Sequence, residues 1–356
     1  MARPNGTIEP PAPWRSMSSE GILEFSQAAD GGLHIDTSGA HGGYTSVVFR
    51  GLPRPLVGAN ADYPLTHRCM TYGRPFFEPV SSIVLPDGSV LAAMMLCFAD
   101  SPHVMFNENI TGYSLVAWRS VDNGTHWDYR GIITDAKDYV SEFTRGNTEE
   151  NDMAVMADGK TVMIVMRTDG DCTCDMAKEP YTKYDDCGVY RPYYQSYSTD
   201  FGSSWTRATP IPGTGCARPR LLSLGADRPM LMSGGRMCWA NETGLFVWLN
   251  PSGLPNAAWQ RFSLSYQHNQ HWAGAPGYLF DDRINETTFF ETQAYTSLMQ
   301  VGDMEAVVVY NKFYEPSNGE DGCYTADGSK VSPCSTGFAM RMTLSSSEQG
   351  SLELEE

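Results

Sequence analysis

The sequence predicts an all-β protein, and three observations carry that prediction. One pattern, Ser-x-Asp-x-Gly-x-x-Trp, occurs twice. Strand-like runs joined by short turns rich in Asp and Gly recur along the chain. Gly 34 and Pro 22 supply many turns, and aromatic residues at 12% with charged residues at 19% indicate well-buried sheets rather than a disordered chain.

The two copies of the pattern occupy 120–127 and 198–205, and each follows a strand-like run. Its Asp carboxylate can accept hydrogen bonds from the backbone and from Ser, its Gly takes a positive φ, and its Trp ring covers the next strand. Each copy is therefore predicted to close a strand-turn-strand unit. We expect Trp127 and Trp205 to be largely buried in equivalent turns.

Four strand-turn-strand pieces are legible, at an interval of about 65 to 80 residues. They lie at 82–91, at 153–166, at 221–233 continuing to 244–249, and at 298–310. The third leads into a decayed copy of the pattern that ends at Trp259. Residues 14–60 and the segment around 338–342 are predicted to supply the remaining strands.

The formal net charge of −17 disfavours nucleic acid and anionic membranes as partners, because both repel an acidic surface. No apolar run approaches the roughly 20 residues of a membrane span, and no signal-peptide apolar region follows Met1. The same charge is unfavourable for an anionic sugar, unless arginines in one pocket dominate the field at contact distance.

Nine cysteines, together with Asn-x-Ser/Thr sequons, favour a secreted, lumenal or extracellular protein. The cysteine spacing suits disulfides better than zinc, since no paired metal-ligand spacing is present. We expect Cys323 to pair with Cys334, and Cys172 or Cys174 to pair with Cys187. The acidic loop around the last three fits no EF-hand calcium pattern, and the sequence predicts neither a metal nor a cofactor.

The repeated Ser-x-Asp-x-Gly-x-x-Trp pattern resembles the Asp-box of sialidases and related β-propellers. The resemblance implies a single β-propeller domain over 1–356, with six blades of four antiparallel strands each. Residues 1–13 are then expected to be disordered or a linker, and 344–356 to be a polar tail. In that family the Asp-boxes lie at blade turns away from the active face, so they indicate fold and leave function to other residues.

The nucleophile that the resemblance implies is Tyr295. The Ala-Tyr-Thr-Ser-Leu segment at 294–298 looks like the sialidase segment that carries the nucleophilic tyrosine. Glu150 precedes the 153–166 hairpin, where the family places the carboxylate that activates this tyrosine. A phenol with a pKa near ~10 needs such a carboxylate to take its proton at neutral pH. Taken alone, Tyr295 also suits a strand aromatic packed within a sheet.

Sialidases hold the carboxylate of sialic acid with three arginines, because a guanidinium donates two parallel hydrogen bonds to it. Arg167 occupies the place of the second, and either Arg218 or Arg236 suits the third. Where the family opens with Arg-Ile-Pro this chain has Glu-Pro-Val, so Arg74 is the nearest candidate for the first. An incomplete set would point to another sugar, and each arginine also suits an inter-blade salt bridge.

The acid/base residue is expected at Asp100, in the loop after the first hairpin, with His103 and Glu108 as close competitors. A general acid must reach the glycosidic oxygen, so geometry decides among them. The stretch His-Asn-Gln-His-Trp at 268–272 suits a polar inter-blade loop better than a sugar subsite.

These residues predict an exo-glycosidase of the sialidase type, which releases terminal sialic acid from glycoconjugates with retention of configuration. The predicted partner is a sialylated glycan or a related acidic sugar. Two alternatives stay open: a hydrolase of the same fold acting on another sugar or uronic acid, and a catalytically inactive Asp-box propeller that binds glycan or protein. Tyr295 and Glu150 within hydrogen-bond reach would favour the enzyme, whereas a pocket blocked by 169–192 would favour the binding protein.

Overall fold

The computed structural model describes most of the chain from residue 14 to residue 355. The described residues are 14–18, 21–27, 33–36, 47–54, 68–69, 76–98, 100–104, 107–139, 148–168, 192–215, 217–235, 244–274, 279–280, 295–314, 323–324, 330–331, 334–345 and 351–355. Side chains are described for 49–54, 81–98, 100–102, 112–139, 150–168, 192–215, 217–235, 244–274, 279–280, 295–312 and 336–344. The cysteine pairs predicted above lie outside these side chains, whereas Cys97 is buried and disulfide-bonded.

Strands dominate the first part of the chain, where turn-forming residues separate short runs of β-branched, aromatic and aliphatic residues. In chain order the elements are β1 (Trp14–Ser18), β2 (Gly21–Gln27), β3 (Leu33–Asp36), β4 (Val47–Arg50), β5 (Arg68–Cys69), β6 (Phe76–Val84), β7 (Val90–Leu96), β8 (His103–Val104), β9 (Asn107–Thr111), β10 (Ser114–Ser120), β11 (His126–Thr134) and the single-turn helix α1 (Ala136–Tyr139).

The remaining elements follow the same pattern and include one longer helix. They are β12 (Thr148–Val155), β13 (Val162–Thr168), β14 (Tyr194–Ser198), β15 (Thr209–Pro210), β16 (Arg220–Ser223), β17 (Met230–Gly235), β18 (Leu245–Asn250), β19 (Gln260–Ser263), α2 (Leu264–His271), β20 (Ser297–Gly302), β21 (Glu305–Tyr314), β22 (Cys323–Tyr324), β23 (Lys330–Val331), β24 (Cys334–Ser345) and β25 (Ser351–Glu355).

Antiparallel four-stranded sheets are the repeating unit. Three of them have the orders β12-β13-β14-β15, β16-β17-β18-β19 and β20-β21-β24-β25. A fourth set, β6-β7-β10-β11, belongs to an eight-stranded sheet in which β11 also pairs in parallel with β4 of the antiparallel set β1 to β4. The all-β prediction and the predicted hairpins are therefore confirmed. The six-bladed ring stays a prediction.

The first Asp-box turn joins β10 to β11 through a compact set of hydrogen bonds. Asp122 Oδ1 accepts from Ser120 Oγ at 2.9 Å and from the backbone N–H of His126 at 2.9 Å. The N–H of Gly124 donates to Ser120 Oγ at 2.8 Å, and Trp127 Nε1 donates to the Gly124 carbonyl at 2.9 Å. These bonds link the Ser, Asp, Gly and Trp positions of the pattern to one another or to the backbone of the turn. The pattern itself therefore specifies the turn geometry.

The second Asp-box turn, between β14 and β15, repeats these bonds position by position. Asp200 Oδ1 accepts from Ser198 Oγ at 2.9 Å and from the N–H of Ser204 at 2.8 Å. Trp205 Nε1 donates to the Gly202 carbonyl at 3.1 Å. The expectations of equivalent turns and of largely buried tryptophans are confirmed. Most of each ring is covered, and the ring N–H groups of Trp127 and Trp205 donate back to the Gly carbonyl of their own turn.

The chain divides into two compact units where the sequence predicts one domain. The first unit comprises Met1–Glu149 with Ser196–Ala208, and the second comprises Glu150–Gln195 with Thr209–Glu356. The single-domain prediction stays a prediction. The polar tail predicted at 344–356 includes the edge strand β25, which pairs with β24 from Arg341↔Glu355 to Ser345↔Ser351.

One core cluster of the second unit lies between the sheet β16-β17-β18-β19 and the sheet β20-β21-β24-β25. Alternate residues of the facing strands meet there, among them Leu231 and Val247 from one sheet and Val308, Met340 and Met342 from the other, all fully buried or nearly so. Each such side chain contributes roughly 1.5–3 kcal/mol when it leaves water. This packing fixes the spacing of the two sheets.

Helix α2 packs against that core through Leu264. The sequence predicts a polar loop at 268–272, whereas in the structure the helix continues to His271. Ser263 caps the helix, accepting from the N–H of Tyr266 at 3.1 Å. His268 is fully buried and its Nδ1 lies 2.9 Å from the hydroxyl of Tyr310. Its ring meets Phe338 edge-on at a centroid distance of 4.6 Å. A histidine in this position is inaccessible to a sugar.

Replacing each Asp-box glycine by alanine separates the cost of a positive φ from the cost of overpacking. Gly124 and Gly202 have φ of +86° and +90°. A Cβ at 202 would lie 2.6 Å from Leu91 Cδ1, whereas at 124 the nearest atom is Trp127 Cζ2 at 3.7 Å. We expect Gly124→Ala to cost about 1–2 kcal/mol of strain and Gly202→Ala to cost about 1–3 kcal/mol more from overpacking. Equilibrium urea unfolding measures both, and equal losses would contradict the packing argument.

Asp122 makes the first Asp-box sensitive to acid. The backbone N–H of His126, and then the His126 ring, hold its pKa at about 2, below the ordinary 3.8. A depressed folded-state pKa gives stability above the unfolded value that is lost as the pH falls through the folded one. We expect Asp122→Asn to lower the urea midpoint above about pH 4, and the deficit to shrink between about pH 4 and pH 2. A deficit constant across that window would be evidence against this account.

Candidate active site

Strand β12 presents two carboxylates on one face of the second unit. Glu150 and Asp152 are two residues apart on a strand and therefore point to the same side. Asn151 and Met153 point the other way and are buried, at 0% and 2% exposure. The strand is thus anchored by its buried face, and Glu150 and Asp152 are held at a fixed separation on the other face.

Glu150 is the centre of a three-residue contact. The phenol of Tyr295 donates to Glu150 Oε1, and Arg167 Nη1 donates to Glu150 Oε2 at 2.7 Å. Arg167 reaches Glu150 because β12 and β13 are neighbours in one sheet. Tyr295 lies immediately before β20 and is 42% exposed. The geometry therefore offers a solvent-accessible phenol whose proton already points at a carboxylate oxygen.

Asp152 lies among two more arginines. Its Oδ2 accepts from the backbone N–H of Leu221 at 2.9 Å, which joins β12 to β16. Burial raises the pKa of Asp152 above its ordinary value, although the Leu221 N–H and the charges of Arg220 and Arg218 act in the opposite direction. Burial lowers the pKa of Arg220, because it disfavours the charged guanidinium. The charge of Arg218 acts in the same direction, whereas the charges of Asp152 and Glu150 act to raise this pKa.

The described part of this site holds more positive than negative charge. Three arginines, at 167, 218 and 220, interact with two carboxylates, at 150 and 152. In a chain whose net charge is −17, this is a local reversal of sign. Such a cluster can attract an anionic group at contact distance even where the remote field repels it.

Asp100 belongs to the first unit and lies in a different electrostatic setting. Lys137 Nζ donates to its Oδ2 at 2.5 Å, and Arg54 Nη1 lies 3.3 Å from its Oδ1. Although burial acts to raise the pKa of Asp100, the hydrogen bond from Lys137 and the charges of Arg54 and Lys137 hold it below its ordinary value. These ion pairs favour the carboxylate form, whereas a general acid must carry a proton. Its acid role stays a prediction.

The other predicted residues fall outside the described part of the chain. Arg74 and Arg236 are outside the described residues, and the side chains of His103 and Glu108 are outside the described side chains. Arg218 is described and half-buried, and it joins the cluster through its charge interaction with Asp152 and Arg220.

Two residues of the cluster were missed by sequence reasoning, Asp152 and Arg220. The available signal is the spacing of two between like-charged residues, which for Asp152 falls within a strand. Glu150-x-Asp152 places two carboxylates on one strand face, which needs opposite charge nearby when it is partly buried, and Arg218 and Arg220 lie just before and at the start of β16.

Among the described residues, no three His, Cys, Asp or Glu side chains converge as a metal site would require. No helix there has the length and apolarity to span a bilayer.

No family model matches the sequence, and no curated protein matches it. Three solved structures are similar to the chain. A protein of unknown function from Dyadobacter fermentans is 15% identical with a TM-score of 0.47, over 99% of this chain and 70% of that one. An α-L-arabinanase from Penicillium chrysogenum is 11% identical with a TM-score of 0.44, over 81% and 69%. A Trypanosoma rangeli sialidase is 12% identical with a TM-score of 0.39, over 89% and 42%. At these values the likenesses carry no argument about activity.

Asp152 gives a prediction with a definite sign. Its folded-state pKa is raised, so its contribution to stability is present at low pH and is lost as the pH rises through the folded-state pKa. Asp152→Asn keeps an acceptor for the Leu221 N–H without the buried charge. We expect this variant to be at least as stable as the wild type at pH 7 and to lose that pH dependence.

Asp152→Ala is the matched variant, because it removes the acceptor as well as the charge. The Leu221 N–H then lacks its partner, which costs about 1–3 kcal/mol. Urea unfolding of both variants at pH 5 and pH 7.5 provides the measurement. A large loss in Asp152→Asn at neutral pH would show that the charge itself stabilises the fold.

Proposed function

We propose that the protein is an exo-glycosidase of the sialidase type, which hydrolyses terminal sialic acid from glycoconjugates on a β-propeller scaffold. One observation carries the proposal: the exposed phenol of Tyr295 donates to Glu150, and Arg167 holds the other oxygen of the same carboxylate. A strand aromatic whose role is packing has no need of a charged acceptor oriented by an arginine.

The phenol and carboxylate together form an activated nucleophile. As Tyr295 Oη attacks the anomeric carbon, its proton passes to Glu150 and the glycosidic C–O bond breaks, the leaving oxygen taking a proton from a general acid. In the second step water attacks the same carbon and gives a proton to the group that served as general acid, while the bond to Tyr295 breaks and Glu150 returns its proton to the phenol. Two displacements give retention, and sialidases are the known tyrosine-using exception among retaining glycosidases.

A tyrosine nucleophile also indicates the substrate class. A sugar with a carboxylate on its anomeric carbon repels a carboxylate nucleophile, whereas a neutral phenol meets no such repulsion. The excess of arginine over carboxylate around Glu150 and Asp152 supports an anionic sugar for the same reason. We assign substrate binding to Arg167 and Arg218, with Arg74 and Arg236 as predicted partners and Asp100 as the predicted acid.

The setting that suits this activity is outside the cytoplasm, among sialylated glycans. The cysteine content, the sequons and the disulfide at Cys97 support that location. An acidic surface supports a soluble glycan as the partner better than nucleic acid.

Replacement of the nucleophile separates chemistry from binding. Tyr295→Phe keeps the ring but removes the attacking oxygen, which the transition state uses and ground-state binding hardly needs. We expect turnover of an aryl sialoside to fall by about three orders of magnitude or more, with unchanged affinity for an unsaturated sialic-acid analogue. Glu150→Gln should also lose turnover, and its pH profile should lose the limb that reports proton removal.

The control is Tyr266→Phe, which makes the same change at an exposed tyrosine on α2. Wild-type-like turnover in Tyr295→Phe would remove Tyr295 as nucleophile. Wild-type protein that neither cleaves the sialoside nor binds the analogue would reject the sialidase assignment. Cleavage of an aryl glucuronide or arabinofuranoside instead would select the other-sugar alternative, and glycan binding without any cleavage would select the binding protein.

A further inference from the structure

We infer that Arg220 and Ser233 are positioning residues that aim Tyr295 at Glu150 by gripping the next residue, Thr296. The catalytic consequence of this inference rests on the proposed function, but the grip itself is a property of the fold. Neither residue was singled out by the sequence, and neither needs to touch the substrate.

The grip comes from two adjacent strands. Arg220 on β16 and Ser233 on β17 are direct partners in the antiparallel register, so their side chains lie side by side on one face. Arg220 Nε donates to the carbonyl of Thr296 at 3.3 Å. Ser233 Oγ lies 2.6 Å from Thr296 Oγ1, within hydrogen-bond distance. Thr296 is therefore held at its backbone and at its side chain by different strands.

Burial shows that this contact is internal. Ser233 is 0% exposed and Thr296 is 4% exposed, whereas Tyr295 beside them is 42% exposed. A buried hydroxyl pair has no water to replace a lost partner, so the pair specifies one position for Thr296. With Thr296 fixed, the phenol of Tyr295 moves only through its own two side-chain torsions.

The grip is tied to the strand that carries the carboxylate. Asp152 Oδ2 accepts from the N–H of Leu221, which follows Arg220 directly. The contacts therefore form a closed ring. Glu150 and Asp152 lie on β12, Asp152 bonds to Leu221, and the adjacent Arg220 bonds to Thr296. Tyr295, which precedes Thr296, donates back to Glu150. The separation of phenol and carboxylate is set by strands β12, β16 and β17. A displacement of about 1 Å in such a pair can cost a hundredfold in rate.

The test uses the full chain and reads Tyr295 without substrate. Tyrosines are labelled with ¹³C at Cζ, and the Tyr295 resonance is identified by its disappearance in Tyr295→Phe. Thr296→Val keeps the volume of the side chain and removes its hydroxyl, and Thr296→Ser restores the hydroxyl. Ser265→Ala is the matched control, because it removes a buried serine that accepts from the Leu245 N–H at 2.8 Å, away from Thr296.

We expect the Tyr295 resonance in Thr296→Val and Ser233→Ala to move toward its position in Glu150→Gln. It should stay at the wild-type position in Thr296→Ser and Ser265→Ala. With an active substrate, kcat should fall about tenfold to a hundredfold in the first two variants, with KM changed less than about twofold.

An unmoved Tyr295 resonance in folded Thr296→Val and Ser233→Ala would overturn the inference. If either fails to fold, Arg220→Met decides, because it keeps the aliphatic stem and removes the donor to the Thr296 carbonyl: a shifted resonance supports the grip and an unmoved one overturns it. Wild-type protein without sialidase activity would reject the proposed function alone, since the resonance still reports whether Thr296 positions Tyr295.

Discussion

The candidate site depends on one hydrogen bond, from the backbone N–H of Leu221 to the carboxylate of Asp152. It fastens β16 to β12 at the point where each strand carries charged side chains. Glu150 lies two residues before Asp152, and Arg220 lies one residue before Leu221. Because strands are stiff, this bond transmits a fixed spacing to both, and through Arg220 to the segment that bears Tyr295.

A buried charged cluster is costly, and its persistence needs compensation. Desolvation raises the pKa of Asp152 and lowers the pKa of Arg220, so it favours the neutral form of each. Their mutual attraction acts against both shifts, and the hydrogen bond from the Leu221 N–H acts against the shift of Asp152. The cluster is therefore poorly explained as a device for stability. Under the proposed function it is a preorganised field, in which Glu150 accepts from the phenol of Tyr295 and the arginines provide positive charge.

Local sequence predicted the turns and hairpins well, because their determinants are close in sequence. In both Asp-boxes every bond spans four residues or fewer, from Ser120 to Gly124 and from Asp200 to Ser204. Burial far from the turns was predicted less well. The fully buried His268 differs from the expected polar loop because packing by distant strands, and not residue type, decides which side chains leave water.

The residues alone thus determined the strand-turn-strand repeat and pointed to Tyr295 and Glu150 as a pair, since pattern and family resemblance act position by position. Tertiary structure decided how that pair is held. Arg220, Ser233 and Asp152 act on partners 63 to 76 residues away, from Ser233 with Thr296 to Arg220 with Thr296. Contacts at that separation arise from sheet register and from the packing of one sheet on the next. The physical reason is that a side chain's partners in a sheet are set by which strand lies opposite, which no short pattern specifies.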